Sequence, residues 1–189
     1  MKLRLLLAAL LLTGTAPALN AQAMVVQPEP ALDAARAGVR DTLLVLRDSL
    51  HAVHAAGAHL RRDFRGASGE TLLSRARAML AACAASTRSM PAARAAVENG
   101  PAATERARVA RERLLAAMDR LADPLATCET RFAAWAGTAD GESVRGYGNR
   151  RADEIRDAIR AFENDLTKYF GAQGIRVRPV GAGAGPIRS

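Results

Sequence analysis

The sequence feature that most constrains the fold is an apolar stripe repeated at helical spacing. Between Pro30 and Gly66, apolar and small residues return every three or four positions. The positions of this first stripe are Val39, Leu43, Leu46, Leu50, Val53, Gly57, Leu60 and Phe64. Such spacing keeps the stripe on one side of a helix, where only another packed element can cover it. The stripe therefore predicts a long amphipathic helix that packs against another part of the chain.

Three further segments carry stripes of the same kind. The second contains Leu72, Ala76, Met79, Cys83, Ser86 and Met90, the third Leu114, Met118, Leu121, Leu125, Cys128, Phe132 and Trp135, and the fourth Ala152, Ile155, Ile159, Phe162, Leu166 and Tyr169. Glycine and proline separate the segments, and no alternation is long enough for a strand. Four amphipathic helices with short connections cover one another most simply when they run antiparallel. The predicted fold is all-α, an antiparallel four-helix-bundle-like domain over residues 24–171.

Local signals refine the ends of these helices. The hydroxyl of Ser68 precedes an acidic first turn and predicts the N-cap of the second helix. Gly171 is predicted to end the fourth helix in the left-handed conformation. Pro91 and Pro124 fall inside helical patterns, so the second and third helices are expected to kink or break there.

The N-terminus has the organisation of a secretory signal peptide. Lys2 and Arg4 precede the apolar run from Leu5 to Leu12, and small residues then lead to Ala21-Gln22-Ala23. The apolar run is shorter than the roughly 20 residues that a membrane-spanning helix needs. We predict that residues 1–23 are removed, that no transmembrane segment follows, and that the protein is periplasmic or secreted.

The C-terminal residues 172–189 are predicted to form a flexible basic tail. They contain Arg176, Arg178 and Arg188 and no acidic residue. Weak contact of these arginines with an anionic surface is the alternative to a free, mobile end. In the rest of the chain basic and acidic residues are interleaved at helical spacings, which is unlike the clustered positive charge of a nucleic-acid-binding face. We therefore expect no nucleic-acid partner.

The two cysteines are candidates for a disulfide bond between Cys83 and Cys128. Both lie on apolar stripes, and a lone pair of cysteines in an exported protein commonly forms a disulfide. The alternative is two buried thiols that pack as small apolar groups. If the chain made a simple hairpin that turned at Gly100, the two cysteines would be displaced from each other along the helix axis by 11 residues, or about 16 Å. The bond is therefore expected to require a bend near Pro124 or near Pro91.

Three histidines on the first helix raise the question of a metal site. Asp48, His51 and His54 follow one another at steps of three, and imidazole is a common ligand of zinc, copper and nickel. These side chains flank the apolar stripe, however, and a site would need further ligands from another helix. Solvated side chains are the favoured interpretation. No cofactor is predicted, and neither cysteine has the C-x-x-C-H context of a c-type haem.

No catalytic motif stands out in the sequence. There is no G-x-S-x-G, no Walker loop and no dinucleotide-binding fingerprint, so no catalytic residue is assigned. The predicted function is that of an exported, non-catalytic protein that binds an envelope or extracellular partner, expected to be another protein. Two alternatives remain open. One is a metal-binding protein or metal-dependent enzyme using His51 and His54, and the other is a chaperone-like periplasmic holder using the alanine-rich face of the second helix.

Overall fold

The computed structural model describes residues 30–63, 66–138 and 148–175, and within them it forms four helices and no strand. Helix α1 spans Pro30–Asp63, α2 spans Gly69–Glu98, α3 spans Glu105–Thr138 and α4 spans Gly148–Gln173. Consecutive helices run antiparallel and pack against each other, which confirms the all-α four-helix bundle. Among these helices, none combines the length and the apolar character needed to cross a membrane. The predicted signal peptide and residues 176–189 of the tail lie outside the described residues.

The predicted stripes form the core. Leu43, Leu46 and Leu50 of α1 are fully buried, as are Phe132 of α3 and Phe162 of α4. The stripe of α2 is built largely from smaller side chains, and its residues from Leu72 to Ser86 are buried between α1 and α3. The stripe residues therefore contribute to the core, whereas Ala78, Ala81 and Ala92 of the same helix are exposed. Trp135 and Met90, the last stripe positions of α3 and α2, are only half-buried.

Ser68 caps α2 as predicted. Its hydroxyl oxygen accepts a hydrogen bond of 3.3 Å from the backbone N–H of Thr71, and its backbone is extended. Because the first N–H groups of a helix lack partners within it, such a cap stabilises the helix by about 1 kcal/mol.

The expectation that a proline breaks its helix is wrong for both prolines. Helix α2 is continuous through Pro91, and α3 is continuous through Pro124. A proline inside a helix removes one hydrogen bond and costs about 3 kcal/mol. Each helix is buried along the core on both sides of its proline, and this burial compensates for the lost bond.

Cys83 and Cys128 lie at disulfide-bonding distance and join α2 to α3, and both helices are continuous through their prolines. Their Cα atoms are 6.2 Å apart, within the range that a disulfide spans. Both cysteines are fully buried, as their positions on the stripes predict. The two helices therefore reach this level without a chain reversal at either proline.

The six residues that connect α2 to α3 provide the missing offset. Arg111 donates a hydrogen bond of 3.5 Å to the backbone oxygen of Glu98, and Arg94 forms an ion pair with Asp119. The last residue of α2 thus lies beside the second turn of α3, and residues 105–110 extend beyond the end of α2. Residues 99–104 span this distance because they follow the axis before α3 begins, whereas a hairpin turning at Gly100 would leave no length for the offset.

Helix α4 ends later than predicted. It passes through Gly171 and ends at Gln173, and Gly174 takes the left-handed conformation with a φ of 66°. The N–H of Ile175 donates to the oxygen of Phe170 at 2.9 Å, and the N–H of Gly174 donates to that of Gly171 at 3.4 Å. This is the hydrogen-bond pattern of a Schellman cap. Residues 172–175, assigned to the tail in the prediction, belong to α4 and its cap.

The buried stripe of α1 predicts a position-specific response to charge. Leu50→Asp is expected to prevent stable folding, because an unpaired buried carboxylate costs several kcal/mol, comparable to the stability of a small domain. Ala52→Asp places the same carboxylate at an exposed position of the same helix and is expected to be tolerated. Exposed His51 is expected to tolerate alanine as well, with a loss below about 1 kcal/mol. Denaturant unfolding of the three variants measures this, and a stable Leu50→Asp protein would contradict the assigned core.

The cysteine pair predicts a redox-dependent stability. Protein isolated under oxidising conditions should show no titratable thiol after denaturation. Non-reducing peptide mapping should find Cys83 joined to Cys128 within one chain. The two residues are separated by 45 positions, and a loop of this length stabilises the folded state by about 4 kcal/mol through the unfolded chain. Reduction should therefore lower the unfolding midpoint of the wild type but not that of a Cys83→Ala/Cys128→Ala variant. Two free thiols in the oxidised protein would show that Cys83 and Cys128 do not form a disulfide bond.

Candidate functional site

The candidate site is an open groove between α1 and α4. These two helices contact each other at fewer positions than the helix pairs that are consecutive in the chain. A cavity of about 510 Å³ lies between them, lined by Arg47, His51, Glu163, Leu166, Thr167, Phe170, Gly171 and Ile175. A second cavity of about 280 Å³ continues along the same gap, lined by His51, His54, Ile159, Arg160 and Glu163. Because the two cavities share His51 and Glu163, they form one feature, which we call the α1/α4 groove.

The floor of the groove is apolar. Leu166 and Phe170 of α4 lie beneath the larger cavity with exposed fractions of 3% and 6%, and Ile159 lies beneath the smaller one. These side chains belong to the continuous core of the bundle. The Schellman cap adds Ile175, which is half-buried and closes the end of the larger cavity. Because α4 continues to Gln173 before its cap, Gly171 and Ile175 can both line the groove.

A hydrogen bond crosses the groove between the two cavities. Nε2 of His51 lies 2.6 Å from Oε1 of Glu163, and the two side chains remain 55% and 35% exposed. The imidazole N–H donates to the carboxylate, and a protonated imidazole makes the contact an ion pair. Because both groups are solvated, the contact contributes at most about 1 kcal/mol to stability. It therefore orients the two side chains across the groove more than it holds the helices together.

The rim of the groove carries positive charge that the protein does not fully neutralise. Arg160 lines the smaller cavity, and Arg61 lies further along the same gap, beside Ile155. Neither arginine makes an ion pair with another residue in the described part of the chain. At the other end, Arg47 bonds to Asp48 of its own helix at 2.9 Å. The side of the groove near Arg160 is therefore the one with available positive charge.

The candidate metal ligands are not brought together. Asp48 bonds to Arg47, His51 bonds to Glu163 of α4, and His54 is exposed on the groove margin. No group of three or more histidine, cysteine, aspartate or glutamate side chains suited to a metal ion occurs within residues 30–63, 66–138 and 148–175. His51 and His54 thus belong to the groove. The sequence did not predict the pairing of His51 with Glu163, which lies 112 residues further along the chain. Helical periodicity shows which face of a helix is buried, but it does not show which residues of two helices lie at the same height along the bundle.

A third cavity lies on the opposite side of α4. It has a volume of about 410 Å³ and separates the C-terminal part of α4 from the first turns of α3. Its lining includes Arg106, Val109 and Arg113 of α3 together with Thr167 and Gly171 of α4. The last two residues also line the α1/α4 groove, so they form a low ridge between the two spaces. This cavity exists because the start of α3 extends past the end of α2.

The end of the bundle beside the groove contains a buried hydroxyl with a perturbed pKa. The Tyr169 ring is fully buried, and its hydroxyl makes no well-formed hydrogen bond to any of the described residues. Nearby Gln173 donates to the backbone oxygen of Pro101. Burial raises the pKa of Tyr169 above its ordinary value of 10.0, and the Gln173 side chain and the charge of Arg111 partly oppose this shift. A Cβ added at Gly100 would lie 2.9 Å from this hydroxyl, so glycine is required there for the close contact between the α2–α3 connection and α4.

One charged contact on the surface of α2 also shifts a pKa. A hydrogen bond from Arg94 to Asp119 of α3 raises the pKa of the arginine, and Glu98 adds to the effect from 2.8 Å. Because Arg94 is charged at any physiological pH, this shift has no chemical role. Its importance is structural, since the pair fixes the same α2–α3 register as the cysteines.

Comparisons with protein-family models, with curated proteins and with solved structures found no match to this chain. No relative therefore assigns a ligand or a reaction to the groove.

The buried hydroxyl of Tyr169 predicts a loss of stability in alkaline solution. A folded-state pKa above the unfolded value favours folding at pH values below about 10, and this contribution is lost as pH rises through the folded-state pKa. Tyr169→Phe lacks the titrating group, so its free energy of unfolding should fall less than that of the wild type as the pH rises above about 10. Near pH 7 the variant should be at least as stable as the wild type, because it removes a buried hydroxyl that makes no well-formed hydrogen bond to the described residues. Equal alkaline losses in the two proteins would contradict this assignment.

Proposed function

We propose that this is an exported protein that acts by binding an envelope or extracellular partner, and that the α1/α4 groove is its binding surface. The observation that carries the proposal is the combination of an apolar floor, a cavity of about 510 Å³ and a polar margin in one place. Ligand sites in proteins are concave, mostly apolar and carry a few convergent polar groups. His51, Glu163 and Arg160 supply such groups here.

The proposed export is supported by two features of the chain. The first 23 residues have the order of a signal peptide. Cys83 and Cys128 are at disulfide-bonding distance, and disulfides persist mainly in oxidising compartments. Both features are compatible with a periplasmic or secreted protein.

A matched pair of threonines allows a direct test of the groove. Thr167 on the groove and Thr130 on α3 are both exposed, and each hydroxyl donates at 2.9 Å to the carbonyl four residues earlier. Thr167→Trp fills the groove from its edge without entering the core. Thr130→Trp adds the same bulk away from any cavity described above. Circular dichroism and unfolding midpoints should be similar for both variants.

The expected result is a partner whose capture depends on the groove. Each protein is immobilised and exposed to an envelope extract of the organism that produces it, and retained proteins and small molecules are identified by mass spectrometry. At least one component should be retained by the wild type, by Thr130→Trp and by Val109→Trp, which fills the third cavity alone, but lost with Thr167→Trp, which borders both cavities. If the Thr167→Trp protein retained the same components as the wild type, the groove would not be the binding surface.

A further inference from the structure

We infer that the occupant of the α1/α4 groove is a single-chain anionic amphiphile with a carboxylate head, such as a free fatty acid. This inference rests on the proposed binding function and names the chemical class of the ligand. It follows from the shape of the groove, from the arrangement of apolar and charged side chains along it, and from the number of residues that line it.

The groove is long and narrow. From Ile159 to Phe170, α4 advances 11 residues, or about 16 Å along its axis. The apolar floor follows this length, because Ile159, Leu166 and Phe170 of α4 line the two cavities and are almost fully buried. An alkyl chain matches a surface of this form, since each methylene that leaves water contributes about 0.8 kcal/mol and no polar group needs to be satisfied.

The unpaired positive charge lies at one end of the groove. The larger cavity, near Phe170 and Ile175, contains Arg47, whose guanidinium is already bonded to Asp48, whereas the smaller cavity, near Ile159, contains Arg160 and His54. Arg160 has no carboxylate partner among the described residues, and its planar guanidinium binds carboxylates and phosphates through two parallel hydrogen bonds. Glu163 adds a negative charge at the junction of the two cavities, where its carboxylate accepts a hydrogen bond from His51. The head of the ligand is therefore placed at Arg160 and its chain toward Ile175.

The number of lining residues favours this ligand over a folded protein partner. Eight residues line the larger cavity and three more are added by the smaller one, which gives eleven. A stable protein–protein interface uses about 20–30 residues on each side. A single alkyl chain with one charged end contacts far fewer residues than a folded protein does, and the eleven residues of the groove are enough for such a ligand.

The probe is dodecanoate, kept below its micelle-forming concentration. Its binding to the exported protein, which begins after the predicted signal peptide, is measured by titration calorimetry. Dodecanoate should bind with saturation at one molecule per chain. Acetate, which has the head without the chain, and dodecyltrimethylammonium, which has the chain with a cationic head, should not bind measurably. Equal binding of the cationic amphiphile would overturn the proposal, because it would show an apolar surface without selection for an anion.

Two pairs of variants locate the site. Arg160→Glu should weaken dodecanoate binding by at least about tenfold, equivalent to about 1.4 kcal/mol. Arg77→Glu makes the same charge change at an exposed position of α2, away from the groove, and should alter the affinity less than about twofold. Thr167→Trp should abolish binding, whereas Thr130→Trp should leave it unchanged. Unchanged binding in Arg160→Glu would overturn the placement of the head group and with it the inference.

The outcomes also separate this inference from the proposed function. If dodecanoate does not bind but an envelope component is still lost with Thr167→Trp, the groove is a binding surface and the ligand class is wrong. If dodecanoate does not bind and no captured component depends on Thr167, both the ligand class and the binding surface are wrong.

Discussion

The axial offset between α2 and α3 is the constraint on which the rest of the structure depends. It is held by the buried cysteine pair at one level and by the contacts of Arg94 and Arg111 nearer the connection. Because α3 begins beyond the end of α2, its first turns lie beside the C-terminal part of α4. Gln173 then donates a hydrogen bond to Pro101 of the α2–α3 connection, and Tyr169 packs against Gly100. These contacts stabilise the last turn of α4, which continues past Gly171. The cap that follows places Ile175 at the end of the groove.

Helical periodicity predicts which face of a helix is buried, and for this chain it was correct at almost every described position. The stripe of α1 is buried from Val39 to Leu60, and the stripes of α3 and α4 supply the aromatic core. Periodicity carries no information on axial level, however. A hairpin turning at Gly100 would therefore leave the cysteines at different levels, and a bend near Pro124 or Pro91 was expected to correct this mismatch. Six connecting residues that follow the axis resolve the mismatch without interrupting either helix.

The candidate site was predictable only in part, for the same physical reason. His51 and His54 were correctly placed beside the stripe of α1, where they are exposed. Their neighbours on α4 depend on the axial position of that helix relative to α1, and the contacts of Tyr169 and Gln173 with the α2–α3 connection, at the end of the bundle beside the groove, help to set this position. A one-turn shift of α4 would move its residues by about 5.4 Å and place Glu163 out of reach of His51. Periodicity alone therefore could not pair the two residues.

The helices are not packed equally tightly: α1 and α4 contact each other less than the consecutive helices do. A groove between α1 and α4 can therefore rearrange its side chains to fit a ligand at the lowest energetic cost. α2 lies between two neighbours and is joined to one of them through the cysteines, so a change in its position would disturb the whole core. α1 and α4 instead pack through buried side chains of the common core, above which a solvated hydrogen bond joins His51 and Glu163. Solvated contacts of this kind contribute little stability, so a ligand that displaces or rearranges the pair loses little protein stability in exchange for its own contacts. The side chains beneath the pair stay packed, and the floor therefore keeps its shape while the margin adjusts.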